Sequence, residues 1–145
     1  MKAGSLPCKA DPAVQKEFLK NTLEPIITEA QEGKAELYFM DAAHFVMGAF
    51  LGYLWCKLRV FVRTPSGRKR YNVLGAYNAM TGTMQSVTNT TSINSSSVME
   101  LLGKLRLLHP GSKIRIVLDN AAYQRNYWVR WHAAFLDIEL VFLPS

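Results

Sequence analysis

Two aspartates stand where runs of apolar residues stop. "ELYFMDAAHF" reaches Asp41, and "IRIVLDN" reaches Asp119 with Asn120 directly after it. Each run has the composition of a buried strand, so each carboxylate is placed at the rim of a core. Two carboxylates about 4 Å apart repel by roughly 4 kcal/mol at an effective dielectric of 20, so close placement is favourable only around a cation. Magnesium suits such a pair, because it takes hard oxygen ligands, keeps part of its water and accepts a substrate phosphate. Two such ions activate a water or a 3′ hydroxyl and stabilise the leaving oxygen of an in-line displacement at phosphorus. For either aspartate alone, turn or helix-cap duty is the competing reading, and Asp119 stands ahead of a helical pattern that it could cap.

Other residues offer less. Lys57, Arg59, Arg63, Arg68, Lys69 and Arg70 fall within fourteen positions, beside Tyr53, Trp55 and Tyr71. Such a cluster suits a phosphate backbone, whose counterions it would release, and equally suits a solvated hairpin whose charges prevent edge aggregation. His44 follows Asp41 closely enough to touch a phosphate or metal, although a lone histidine is more often packed or hydrogen-bonded. His109 ends a helical pattern, where a cation suits the dipole. Trp128 and Trp131 have core spacing, and the glycines of "TPSGRKR" lack the spacing of a phosphate cradle.

These residues must be positioned by a fold of 145 residues, enough for one substantial core. A content of 49% hydrophobic and 19% charged residues excludes a disordered chain. The most apolar run, "FVMGAFLGYLW", is too short to span a membrane, and the N-terminus lacks the apolar segment of a signal peptide. Two lone cysteines, Cys8 and Cys56, form neither a metal spacing nor a disulfide framework, which favours a reducing cytoplasm. The net charge of +6 agrees with an anionic partner.

The opening predicts a helix with Asp11 as N-cap, Pro12 at its first position, a bend at Pro25 and a stop at Gly33. "AELYFMD" predicts a strand. From Arg59 to Thr91 the pattern predicts an antiparallel meander, with a basic turn at 65–67 and another at Thr81 and Gly82. "SSSVMELLGKLRLLHPG" predicts a helix opened by a Ser97 and Glu100 capping box. "KIRIVLD" predicts a doubly covered strand, "AAYQRNYWVRWHAAFLD" a helix and "IELVFLPS" a last strand. Three antiparallel strands followed by helix-linked parallel strands describe an α/β fold, a mixed five-stranded sheet with helices on both faces. Ligands of such sheets gather at the carboxyl ends of parallel strands, where Asp41 and Asp119 are expected.

"YFMDAAHFV", "RYNVLGAYNAMTG", "IRIVLDNAAYQ" and "ELVFLPS" resemble the catalytic domain of DDE transposases, in the bacterial insertion-sequence group related to mariner elements. The resemblance covers nearly the whole chain and implies a ribonuclease H-like fold for 35–145, with 1–34 as a helical lead-in. It implies that Asp41 and Asp119 are the first two catalytic, metal-binding aspartates and that Asn120 matches the polar residue after the second. It also implies magnesium or manganese and DNA as partner (transposon ends and target); the apolar face left without the family's final helix predicts a homo-oligomer, and no membrane or small-molecule substrate is expected. The implied activity is cleavage at transposon ends and transfer of the 3′ end into target DNA. Two departures stand out: Ala42 and Ala43 follow Asp41 where many relatives carry a second acid, and the family's third carboxylate would lie past Ser145. Asp137, Glu139 and Glu100 are poor substitutes, so the expectation is a fragment or degenerate copy with a partial metal site, inactive alone. The alternatives are another ribonuclease H-like nuclease, or an inactive DNA-binding or assembly module that keeps the fold.

Overall fold

The structure, a computed structural model, describes residues 11–47, 58, 61 and 69–144. The chain enters through a helix, α1 (Pro12–Phe18), whose N-cap Asp11 accepts a hydrogen bond from the Ala13 amide at 2.9 Å. Pro25 has no amide hydrogen, and its ring crowds the carbonyl one turn back. The helix widens into a π turn (Leu19–Leu23) just before it and resumes as α2 (Glu24–Gln31). Gly33, at φ +71°, turns the chain out of the helix as expected. Ile26 and Ala30 of α2, with Phe18, Leu23 and Ile27 at their margin, pack on Leu37, Val117 and Val141.

That surface is one face of a five-stranded sheet of order β3-β2-β1-β4-β5. Its strands are β1 (Glu36–Met47), β2 (Lys69–Asn78), β3 (Met84–Asn89), β4 (Ile114–Leu118) and β5 (Ile138–Phe142). β1 runs antiparallel to β2 and parallel to β4, and β5 runs parallel to β4. The opposite face carries the main core. There α3 (Ser95–Leu108) sets Val98, Leu101, Leu102 and Leu105 against Tyr38, Leu74, Ile116 and Leu118. A shorter helix, α4 (Tyr127–Phe135), adds Val129 and Ala133. The sheet is thus mixed and covered on both faces, as the pattern predicted.

Polar ties fix the ends of these elements. Arg106 donates to the carbonyls of Leu136, Asp137, His109 and Ser112 at 2.7–3.0 Å, clamping the exits of α3 and α4 together. One of those carbonyls belongs to Asp137, which adopts φ +53° to turn α4 into β5. Glu29 pairs with Lys113 and Arg115, and Arg115 also pairs with Glu139, so α2 is tied to β4 and β5. The Lys113 hydrogen bond, with Arg115 adding to it, holds the Glu29 carboxyl below its usual range despite some desolvation. His109 shares a 2.6 Å hydrogen bond with the buried Tyr38 hydroxyl and lies 3.5 Å from Glu36.

Several expectations are corrected. β1 does not finish at Asp41 but continues to Met47, because β2 stays paired with it from Asp41↔Gly75 to Met47↔Lys69 after β4 has ended. The N-cap of α3 is Asn94, whose side chain accepts from the Ser97 amide at 3.2 Å. Ser97 is buried within the first turn, and Glu100 pairs with Lys104 instead. α4 starts at Tyr127 under an Asn126 cap, so Asp119 is not its cap. Trp128 and Trp131 are exposed rather than core, since α4 turns its small residues, Val129 and Ala133, to the sheet. Of the basic cluster, Lys57, Arg59, Arg63 and Arg68 lie outside the described residues, as does the expected basic turn; Lys69 and Arg70 open β2 and are exposed.

Candidate active site at the ends of two parallel strands

The parallel ladder between β1 and β4 ends at Met40↔Leu118. One residue further along each strand stand Asp41 and Asp119, just past the last paired residues. Side chains alternate across a strand, so Asp41 and Asp119 point to the same face as the paired Phe39 and Val117, two residues earlier. Both line one open groove of about 480 Å³ with Phe39, Tyr77, Val117 and Leu143, a largely apolar wall around two acids. β4 stops here while β1 runs on beside β2, and this divergence opens the groove. Opposite Asp41 lies Gly75, which sets no side chain beside the carboxylate; a Cβ there would come 3.3 Å from Met84 Sδ.

Among the described residues neither aspartate has an ion-pair partner. Asp41 Oδ1 accepts only the next amide, Ala42, at 2.7 Å, and Asp119 Oδ1 accepts the Ala121 amide at 3.3 Å, closing a turn. By contrast Glu29, Glu32, Glu36, Glu100 and Glu139 are each held by a cation or an amide. Two carboxylates left without a countercharge in one groove are unfavourable neighbours until a cation joins them. Their donors are hard oxygens, the type that Mg²⁺ or Mn²⁺ takes. Among the described residues no group of three or more His, Cys, Asp or Glu could hold a metal.

The neighbouring residues divide. Asn120 Nδ2 donates to the Leu143 carbonyl, tying the loop after β4 to the end of β5 and closing the groove on that side. His44 is not brought to the aspartates. Three positions beyond Asp41, it lies on the other face of the sheet, where Nδ1 donates to Asn72 Oδ1 at 2.8 Å. Asn72 is buried and continues a polar chain to Asn89 and Ser97, which anchors the hairpin to α3.

Two residues of this region carried no site reading in the sequence. Burial raises the Tyr123 hydroxyl above the usual tyrosine range, and the Asp119 carboxylate, with Asp41 more weakly, pushes it further. Tyr123 packs at the margin of the main core, near enough to both acids to feel their charge. Gln124 is fully buried with neither amide atom in hydrogen-bond geometry, although it lies near enough to Tyr123 to offset part of that rise. Both were read as the first turn of a helix; they lie instead in the turn that precedes α4.

Residues 36–145 match the family model described as DDE superfamily endonuclease, and the chain belongs to that family. No curated protein matches. The fold is similar to that of the Mos1 strand transfer complex, with a TM-score of 0.59 at 17% identity over 100% of this chain and 45% of that one. It is also similar to the Mos1 transposase paired-end complex with left transposon end, at 0.59 and 16% over 100% and 46%. A simian T-cell lymphotropic virus intasome in complex with PP2A regulatory subunit B56 gamma gives 0.52 and 15% over 74% and 31%. At such identities the likeness shows the fold, which is ribonuclease H-like. The chain spans less than half the length of these solved chains. The expected resemblance to a DDE catalytic domain is borne out in family and in fold.

Proposed function

We propose that this chain belongs to the catalytic domain of a transposase of insertion-sequence type, an enzyme that cuts transposon-end DNA and joins the 3′ end to target DNA, and that it supplies two of that enzyme's carboxylates. The observation that carries the reading is the placement of Asp41 and Asp119 side by side, without countercharge, in one groove at the ends of β1 and β4. DDE superfamily enzymes use divalent metal ions. Asp41 and Asp119 would hold such an ion, magnesium or manganese, with water and substrate phosphate completing its oxygen shell. When bound, the ion supplies the positive charge that favours attack of a water or 3′ hydroxyl at phosphorus.

The remaining residues orient the substrate. Gly75 sets no side chain of its own beside Asp41, and the Met84 side chain packs over it. Phe39, Val117 and Leu143 keep water off one side of the carboxylates and strengthen their charge interactions. Asn120 holds the loop of Asp119 to β5. Lys69 and Arg70, with the basic residues before them in the sequence, contribute phosphate affinity.

In this reading 35–145 belongs to the catalytic domain and 1–34 is its lead-in. The Mos1 structures include a paired-end complex, and joining two ends calls for more than one catalytic domain, so a homo-oligomer acting in the cytoplasm is part of the proposal. No helix of the described residues is long and apolar enough to cross a membrane.

The test is metal-dependent DNA affinity, read by fluorescence anisotropy with a nicked duplex and Ca²⁺ or Mn²⁺. The ion should tighten binding, and Asp41→Asn or Asp119→Asn should erase that gain while keeping the metal-free affinity. An equal gain in both variants would reject the site and favour the inactive DNA-binding module.

A further inference from the structure

A second surface lies on the opposite face of the sheet. α4 exposes four large aromatic side chains: Tyr127 at 70%, Trp128 at 62%, Trp131 at 53% and Phe135 at 73% of their full area. Their spacing follows the helix. Trp131 and Phe135, one turn apart, stack with centroids 5.8 Å apart and ring planes only 12° apart, and Tyr127 meets Trp128 edge-on at 5.6 Å. Arg125 and Arg130 line a cleft with Tyr127 and Trp131. α4 itself contains no acidic residue.

Aromatic side chains present about 150–250 Å² each, so these four expose on the order of 500 Å², a patch of the size that usually marks a binding site. A second copy is a poor occupant. A stable pair needs about 800 Å² per partner, and a two-fold contact along α4 would set Arg130 near its own counterpart with no acid on the helix to pair with. The arginines call for an anionic partner, and the near-parallel rings of Trp131 and Phe135 call for one with flat faces to extend the stack.

Both demands are met by nucleic acid with unpaired bases. We propose that α4 is a single-stranded DNA platform, on which bases stack against Trp131, Phe135 and Trp128 while Arg125 and Arg130 hold the flanking phosphates. Duplex DNA keeps its bases stacked inward and offers such rings nothing, so the surface selects unpaired strand. This surface is distinct from the carboxylate groove and does not depend on metal.

The test compares, in EDTA, a labelled oligothymidylate of roughly 12 nucleotides with a duplex of equal length. The oligothymidylate should quench the tryptophan emission of the unaltered chain, and Trp131→Ala should weaken its binding by roughly tenfold or more. Duplex affinity and manganese binding should stay as they were. Trp128→Ala and Phe135→Ala should give smaller losses, and the exposure of all three side chains predicts melting curves like that of the parent. Unchanged oligothymidylate affinity in all three variants would overturn the proposal. Equal quenching by polyglutamate, pointing to an acidic protein partner, would also overturn it, as would a dimer that Trp131→Ala converts to monomer. Failure of manganese binding with intact oligothymidylate binding would strike the catalytic reading alone.

Discussion

At the scale of single residues, acids that hold the fold are distinct from acids that do not. Asp41 and Asp119 make only local amide contacts, so Asp119→Asn should leave the denaturation midpoint unchanged or raised as repulsion is relieved; a loss above about 1 kcal/mol would return the residue to structural duty. Tyr38→Phe is the contrasting case. It removes a buried hydroxyl bonded to His109 and should cost about 1 kcal/mol in urea unfolding. The two aspartates were legible because each closes an apolar run, a pattern that survives without coordinates. The role of His44 was not, because nearness in sequence along a strand says little about the face, and three positions put it across the sheet. Tyr123 and Gln124 were hidden by helical spacing in a stretch that folds as a turn.

At the scale of elements, chain periodicity located the helices and strands, while local capping chemistry decided their ends. Asn94 took the cap expected of Ser97 because its side chain reaches the Ser97 amide from an extended backbone, with the Ser97 side chain buried in the first turn. Asn94→Ala should therefore cost about 1 kcal/mol in thermal or urea unfolding, whereas Glu100→Gln, which loses only an exposed pair with Lys104, should cost under about 0.5 kcal/mol. Equal costs would restore the capping box. The length of β1 was illegible for a different reason: what extends it past Asp41 is β2, a pairing set by tertiary contact rather than by the composition of "AAHFVM". The same limit applies to α4, where periodicity finds an apolar stripe without saying which stripe meets the sheet.

At the scale of the whole molecule, two helical layers on a mixed sheet place the carboxylates where parallel strands end and an antiparallel hairpin continues. Tyr38 and Tyr123 both titrate above the usual tyrosine value, chiefly because burial disfavours the phenolate. Their neutral forms thus favour the folded state up to about pH 10, the unfolded value, and that stability drains away as pH rises toward their folded values. The melting temperature should fall above about pH 10, and a flat profile to pH 11 or so would contradict this. Manganese binding by calorimetry, on this chain and on its Asp41→Asn and Asp119→Asn variants, tests the shared carboxylate site. Manganese accepts the oxygen ligands of magnesium and binds more tightly. Binding that either substitution abolishes is the expected result if both carboxylates serve one ion. Binding indifferent to both substitutions, or none in the folded chain, would contradict it.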